Sequence, residues 1–306
     1  MKVEADGTLS AGTNGPRPPD RVRDRPDQRV SRKRRAPWIA AAVVYLFTFV
    51  VALPVLWTLL LSFETNNEIL EHPFSLSNIS LNDYHRVFAT LQLFTLYKNT
   101  LVLALFSVSI GVAVTFMLSF ALSRMVFRHP GWRTAMRYFF LAGLAVPVYV
   151  LLFPVYRLDI EFHVYGTYLA LILPYVAGAV PFNTLLFTGF LADFPGEVEE
   201  AAIVDGCTLY RMLRRVTFPM MKPVVLTVVV FNALYVWNEF PFAVTLIQKS
   251  SLTTVALGVS QFQGFYYVDY GAMMAASTLV LIPQLVLYAL FQRQIVAGMT
   301  LGAVKA

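Results

Sequence analysis

Six stretches of the chain run long without charge, and the charged residues collect between them. Residues 39–61 are a charge-free run of 23, and residues 99–123 and 138–156 are two more. Residues 164–192 carry no charge for 29 positions, residues 223–248 carry one, Glu239, and residues 270–292 carry none. About 20 consecutive apolar residues make a helix long enough to cross a bilayer. The pattern therefore predicts an all-α, polytopic membrane protein with six transmembrane helices, both termini on one side.

Composition excludes the alternatives. Of 306 residues, 57% are apolar or aromatic and 14% charged, against about 25% charged in soluble domains. A soluble globular domain, a disordered chain and a coiled coil are ruled out. The lone Cys207 rules out a disulfide framework, and the four histidines form no ligand pattern, so no metal or cofactor is expected.

The charges set the expected orientation. With the termini inside, 20 of the 24 Lys and Arg fall on the inner segments. Only Arg86, Lys98, Arg157 and Lys249 fall outside or at outer edges. The positive-inside rule then gives N-in, C-in. Residues 1–36 are rich in Pro, Arg, Asp and Gly and too poor in apolar residues to offset the entropy of ordering. They read as a disordered basic cytoplasmic tail ahead of the six-helix transmembrane domain, residues 37–306. Its end, Arg32 to Arg35, reads as a topology anchor that touches anionic lipid; without a folded module beside it, no nucleic-acid partner is expected. The next run exceeds the about 7–15 residues of a signal-peptide core, so the first span is retained.

Residues 193–222 do not read as membrane. Asp193 is placed to cap a helix, Pro195 suits a first turn, and Glu197, Glu199 and Glu200 favour the positive helix N-terminus. Ala201 and Ala202 extend the helix without bulk. Asp205-Gly206 stops it, with Gly206 free to turn left-handed. Thr208 caps a second short helix, which Pro219 and Pro223 end. An acidic first helix argues against a lipid-surface hairpin, which favours Lys and Arg, and for a knob that docks on a basic protein partner.

This loop resembles the coupling motif of ABC-importer permeases: Glu-Ala-Ala, three residues, Gly, nine residues, Ile-x-Leu-Pro. Here it reads Glu200-Ala201-Ala202, then Gly206, then Val216-Thr217-Phe218-Pro219. Val216 and Phe218 keep the apolar character, and Cys207 stands where sugar permeases often carry Ala. Trp237-Asn238-Glu239-Phe240 is similar to a segment of the fifth core span of sugar permeases. The closing run from Gln292 to Lys305 looks like that of the smaller permease subunit of maltose-type carbohydrate importers.

The resemblance implies a type I importer permease fold in the cytoplasmic membrane of a prokaryote, and a transport subunit that is not an enzyme. It implies a second related permease subunit, two copies of a separate ATPase and an extracytoplasmic sugar-binding protein. The chain holds no phosphate-cradling Gly-x-x-x-x-Gly-Lys loop, which fits a separate ATPase. Carried over by motif, Glu200, Ala201, Ala202, Asp205, Gly206 and Pro219 are the ATPase-coupling residues.

Other residues keep two readings. Glu239, with Asn238, is a pore or gate residue, or else a structural cap. Tyr149, Tyr156, Tyr235 and Trp237 stack on a sugar ring, or else pack in the bundle. Phe262, Phe265, Tyr266 and Tyr267 touch the binding protein, or else form an interfacial belt. An ion-gradient-driven carrier is the alternative of a different class; it would show inverted repeats and more intramembrane charge. Within the importer class, a glycerol-phosphate or polyol substrate is the alternative, with Arg157 as its one outer-edge arginine beside a span.

Overall fold

The structure, a computed structural model, describes residues 37–74 and 79–301. The basic tail and the last five residues, including Gly302 and Lys305, lie outside the described residues. The chain divides into two compact units, residues 1–51 and 52–306. The described part of the first unit, residues 37–51, belongs to helix α1 (Pro37–Leu61). Its side chains from Trp38 to Val50 are exposed, as suits a helix whose solvent is hydrocarbon.

The second unit is a helical bundle. Short helices α2 (Asn66–Glu71) and α3 (Asn82–Thr90) lead into α4 (Leu93–Arg124). Then come α5 (Pro130–Ala142), α6 (Val148–Glu161) and α7 (Tyr168–Ala192). Helices α8 (Gly196–Val204), α9 (Leu209–Met212) and α10 (Phe218–Met220) fill the predicted loop. Helices α11 (Lys222–Asn238), α12 (Pro241–Leu246), α13 (Val255–Val259) and α14 (Tyr270–Leu301) complete the chain.

Among the described residues, four helices are long and apolar enough to cross a membrane alone: α1, α4, α7 and the Tyr270–Arg293 part of α14. Counting each of two bent pairs as one span brings the number to six. The third predicted span, residues 138–156, is not straight. Helix α5 tightens into a 3-10 turn at Gly143–Ala145, and α6 leaves at 102°. Pro147 supplies no N–H and drives Val146 to an extended conformation (φ −86°, ψ 115°). Gly143 lies where a Cβ would stand 2.5 Å from the Pro181 ring. The fifth span is broken twice: residues 209–220 meet α11 at 77°, and α11 ends at Asn238, two residues before α12. The second span begins earlier than predicted, at Leu93, and so contains Lys98.

Helix α4 packs along α7, with α11 against both and α14 against α11. Leu103, Phe116, Leu171, Phe187 and Val228 are buried where these helices meet. Gly111 of α4 faces Ala179 of α7, and a Cβ at Gly111 would lie in ordinary contact, 3.7 Å from the Ala179 Cβ. Small residues serve helix contacts in lipid, where apolar burial gives no driving force. A polar ladder crosses the same contact. The Asn232 Nδ2 donates to Asn183 Oδ1 at 2.8 Å, and Asn183 Nδ2 donates to Thr115 Oγ1 at 3.3 Å. Thr115 Oγ1 in turn donates to the Gly111 carbonyl at 2.6 Å.

Candidate functional site

The predicted docking loop folds as an elbow. Helix α8 begins after Pro195, which occupies the cap position without a side-chain bond, whereas Asp193 ends α7. The predicted Asp193 cap is thus not formed, because Asp193 closes α7 and Pro195 takes the cap position of α8. The stop is as expected. Asp205 closes α8 and Gly206 turns left-handed at φ +73°. The Gly206 N–H reaches the Ile203 carbonyl at 2.9 Å, and the Cys207 N–H reaches the Ala202 carbonyl at 2.9 Å. These are the two bonds of a Schellman stop, and they satisfy carbonyls that a helix end leaves open. Thr208 then caps the next helix, its Oγ1 accepting from the Arg211 N–H at 3.4 Å.

Pro219 does not end that helix. A π-turn at Leu213–Thr217 lets the chain pass the proline, and the break falls at Met221, ahead of Pro223. The wider turn accommodates a ring that would otherwise clash with the carbonyl four residues back.

The elbow presents two faces. Outward lie Glu200, Ala201, Asp205 and Gly206, with Ile203 at 61% and Val204 at 86% exposure; Ala202 is half-buried. Inward, Glu199 is buried and its Oε2 stands 2.5 Å from Nε of Arg124, the last residue of α4. The Arg124 Nη2 also donates to the Leu191 carbonyl at 2.7 Å, near the end of α7. One guanidinium therefore joins α4, α7 and α8. In sequence, Glu199 stood only as one of three acids in a first turn. Nothing in the sequence set it apart from Glu197 and Glu200, since its partner Arg124 lies 75 positions away.

Asn238 and Glu239 lie at the other end of α11, about 25 Å of helix away. Glu239 is not inside a helix. It occupies the break after α11, 5% exposed, and its carboxylate holds the start of α12. Oε1 accepts from the Phe242 N–H at 2.7 Å, Oε2 from the Ala243 N–H at 3.2 Å, and Oε2 also from the Tyr175 hydroxyl at 2.5 Å. Pro241 at the first turn of α12 removes one further donor that would need a partner. Asn238 does not join this network; its side chain bonds the Leu234 carbonyl at 2.8 Å.

The aromatic candidates separate. Trp237 is buried, its Nε1 donating to the Val280 carbonyl at 3.1 Å and its ring stacked on Tyr97. Tyr156 packs edge-on to Tyr165. Tyr149 is exposed, and Tyr235 is half-exposed.

The sequence pattern of the "Binding-protein-dependent transport system inner membrane component" family matches residues 126–301, which include the elbow and both breaks of the fifth span. The chain belongs to this family. It is 35% identical over 263 residues to a "Putative ABC transporter permease protein ORF2" of a Caldicellulosiruptor strain, covering 85% of this chain and 94% of that one. It is 31% identical to the "Diacetylchitobiose uptake system permease protein NgcG" of Streptomyces coelicolor, over 90% and 91% of the two chains. A solved bacterial ABC transporter "involved in the import of the acidic polysaccharide alginate" shares the fold, with TM-score 0.70, 18% identity, and coverage of 86% and 98%. The protein is thus a multi-pass inner-membrane permease of the ABC-importer type, a transport subunit rather than an enzyme. Family membership decides against the ion-gradient carrier.

At the end of the permease away from the elbow, Arg86 pairs with Asp83 and, at 2.6 Å, with Asp269. The hydrogen bond to Asp83 raises the guanidinium above its ordinary pKa. Asp269 Oδ1 also accepts from the Ala272 N–H at 3.1 Å, at the start of α14. Just before it, Gln263 and Val268 pair across a small hairpin whose tip, Phe265 and Tyr266, is fully exposed. Phe262 instead packs against a buried apolar cluster that includes Val87, Leu96, Trp237 and Ala275.

Proposed function

We propose that this permease imports a sugar, an oligo- or disaccharide, and that it pairs with a second related permease subunit to form the pore. One of two copies of a separate ATPase docks on the elbow, the other on the related permease, and an extracytoplasmic sugar-binding protein delivers the substrate. The termini and residues 193–222 face the cytoplasm, and the basic tail, residues 1–36, lies on anionic lipid.

The observation that carries this reading is the two-faced elbow. Its inner face is fixed to the ends of two spans through Arg124 and Glu199. Its outer face leaves Glu200 and Ala201 beside exposed Ile203 and Val204, and nothing among the described residues covers the apolar pair. An acid and small residues around an apolar patch suit close docking on a basic partner. Glu200 pairs with a basic group of the ATPase, Ala201 and Ala202 permit approach, and Asp205 with Gly206 sets the angle. Pro219 holds the second helix against the fifth span. The sugar rests on the diacetylchitobiose relative and on the motif resemblance. Glu239 acts as the cap that shapes the α11–α12 break and, through it, the outer part of the path, with Asn238 beside it on the exposed side.

Purification of the tagged chain from its native membrane in mild detergent, followed by mass spectrometry, tests the assembly. The expected result is co-recovery of a second permease, a P-loop ATPase and a secreted binding protein. Recovery of the chain alone, with sugar uptake that continues without ATP, sinks it.

A further inference from the structure

A cavity of about 250 Å³ opens between α7 and α11, lined by Gly178, Ala179, Phe182, Phe231, Asn232 and Tyr235. It lies below the about 300–1,000 Å³ of sites for drug-sized ligands, which sizes it for a single ring. Phe182 and Phe231 meet edge to face at 5.9 Å, and both are more than a third exposed. Tyr235 is 44% exposed and stands beside Tyr175, itself bonded to Glu239.

Asn232 gives the cavity a fixed polarity. Its Nδ2 donates to two oxygens, Asn183 Oδ1 at 2.8 Å and the Val228 carbonyl at 2.7 Å. A flipped amide would set its oxygen against both, so the orientation is determined. The ladder behind it runs one way, through Asn183 and Thr115 to the Gly111 carbonyl. Both amide hydrogens of Asn232 are thus used, and Oδ1 is left as an acceptor at the cavity. A lipid tail in this place would leave that oxygen unsatisfied in hydrocarbon, which is costly. A ring with apolar C–H faces and hydroxyl donors satisfies the rims and the oxygen together. Gly178 keeps the space clear: a Cβ there would meet nothing within 4 Å.

We propose that this cavity is a sugar subsite of the permeation path, in which Phe182 and Phe231, packed edge to face, together wall one side of the ring, Asn232 Oδ1 accepts a sugar hydroxyl, and Tyr235 supplies a second hydroxyl contact. The proposal rests on the sugar-importer reading above.

The test uses cells that carry the complete importer, with 14C-labelled maltose and 14C-labelled diacetylchitobiose as probes. The parent chain is expected to take up at least one of them in an energy-dependent way. Gly178→Met, which fills the cavity from a helix position that tolerates a longer side chain, is expected to lower uptake about tenfold or more, the scale of a pocket that discriminates by size. Tyr235→Phe is expected to shift the ratio of uptake of the two sugars about fivefold, the scale of one hydrogen bond. Recovery of the partner permease with each variant reports assembly. Wild-type uptake by an assembled Gly178→Met complex overturns the subsite. So does a Tyr235→Phe variant that slows both sugars in parallel or not at all, which is the mark of a packing role. If Gly178→Met fails to assemble, Tyr235→Phe decides alone. Absence of energy-dependent uptake of either probe by the parent chain overturns the sugar reading itself, and the subsite with it.

Discussion

Arg124 and Glu199 meet at 2.5 Å where three helices end or begin, and the same guanidinium holds the Leu191 carbonyl. The pair is largely buried, with side chains 20% and 11% exposed. Breaking a buried pair leaves one charge without its partner, which costs more than the pair contributes. A displacement of α8 therefore drags the ends of α4 and α7, because the alternative is an uncompensated ion.

Removal of either charge is accordingly expected to loosen transmission before it unfolds the bundle. Glu199→Gln and Arg124→Gln should each lower ATP-driven uptake several-fold, while ATP hydrolysis by the assembled complex is reduced less. Each should cost about 1–3 kcal/mol in thermal unfolding in detergent. The double exchange Arg124→Glu with Glu199→Arg should recover part of the loss. Non-additivity in that cycle measures the coupling; strictly additive losses would show that the two residues act apart.

Gly206 occupies φ +73° with open space around its missing Cβ. The cost of a side chain there is conformational, about 1–2 kcal/mol, not a clash. Gly206→Asp is expected to insert and assemble, yet to uncouple ATP hydrolysis from uptake, because the elbow angle changes. Normal uptake by this variant in vesicles would remove Gly206 from the coupling surface.

The sequence reading and the structure part company at prolines and at two acids, Glu199 and Glu239, for a shared reason. Hydropathy located the four straight spans and the two bent helix pairs, because lipid demands about 20 apolar residues whatever the local backbone does. It does not register bends, since Pro147 and Met221 change direction without changing polarity. The elbow was legible residue by residue, from Gly206 to Thr208, because caps and left-handed stops are local chemistry. Glu199 and Glu239 were not, since their partners, Arg124 and Tyr175, lie 75 and 64 positions away in the chain. The Asn232 ladder was missed likewise: Asn183 and Thr115 look like isolated polar residues in apolar runs until the helices pack.

Glu239 serves as an acceptor for three donors at once. Glu239→Gln keeps one acceptor oxygen and replaces the other with a donor that faces an N–H or the Tyr175 hydroxyl. It is expected to lower the unfolding temperature of the detergent-solubilised complex by a few degrees and to slow uptake. Glu239→Ala, which leaves the start of α12 uncapped, should be worse by about 1 kcal/mol or more. Tyr175→Phe removes one donor and should fall between the parent and Glu239→Gln. An unchanged melting temperature and uptake rate in Glu239→Gln would dismiss the cap and the gate alike.

Phe265 and Tyr266 stand free at the tip of the hairpin before α14, while its base is tied down. The Gly264 N–H donates to the Tyr267 carbonyl at 2.9 Å, and Asn66 Nδ2 donates to the Tyr267 hydroxyl at 3.0 Å. The Tyr270 N–H in turn donates to Asn66 Oδ1 at 2.8 Å, so one asparagine fixes both sides of the turn. An exposed aromatic pair on a braced turn is suited to a protein partner, since Tyr and Phe anchor interfaces at small entropic cost. Phe265→Ser with Tyr266→Ser is expected to leave stability within about 0.5 kcal/mol and to raise, about tenfold or more, the binding-protein concentration at half-maximal uptake in proteoliposomes. Asn66→Ala should act on the same quantity more weakly, by releasing the hairpin, and should also lower the melting temperature. If the double serine variant changes neither the half-maximal concentration nor the maximal rate, the tip belongs to the membrane interface and not to the delivery of substrate.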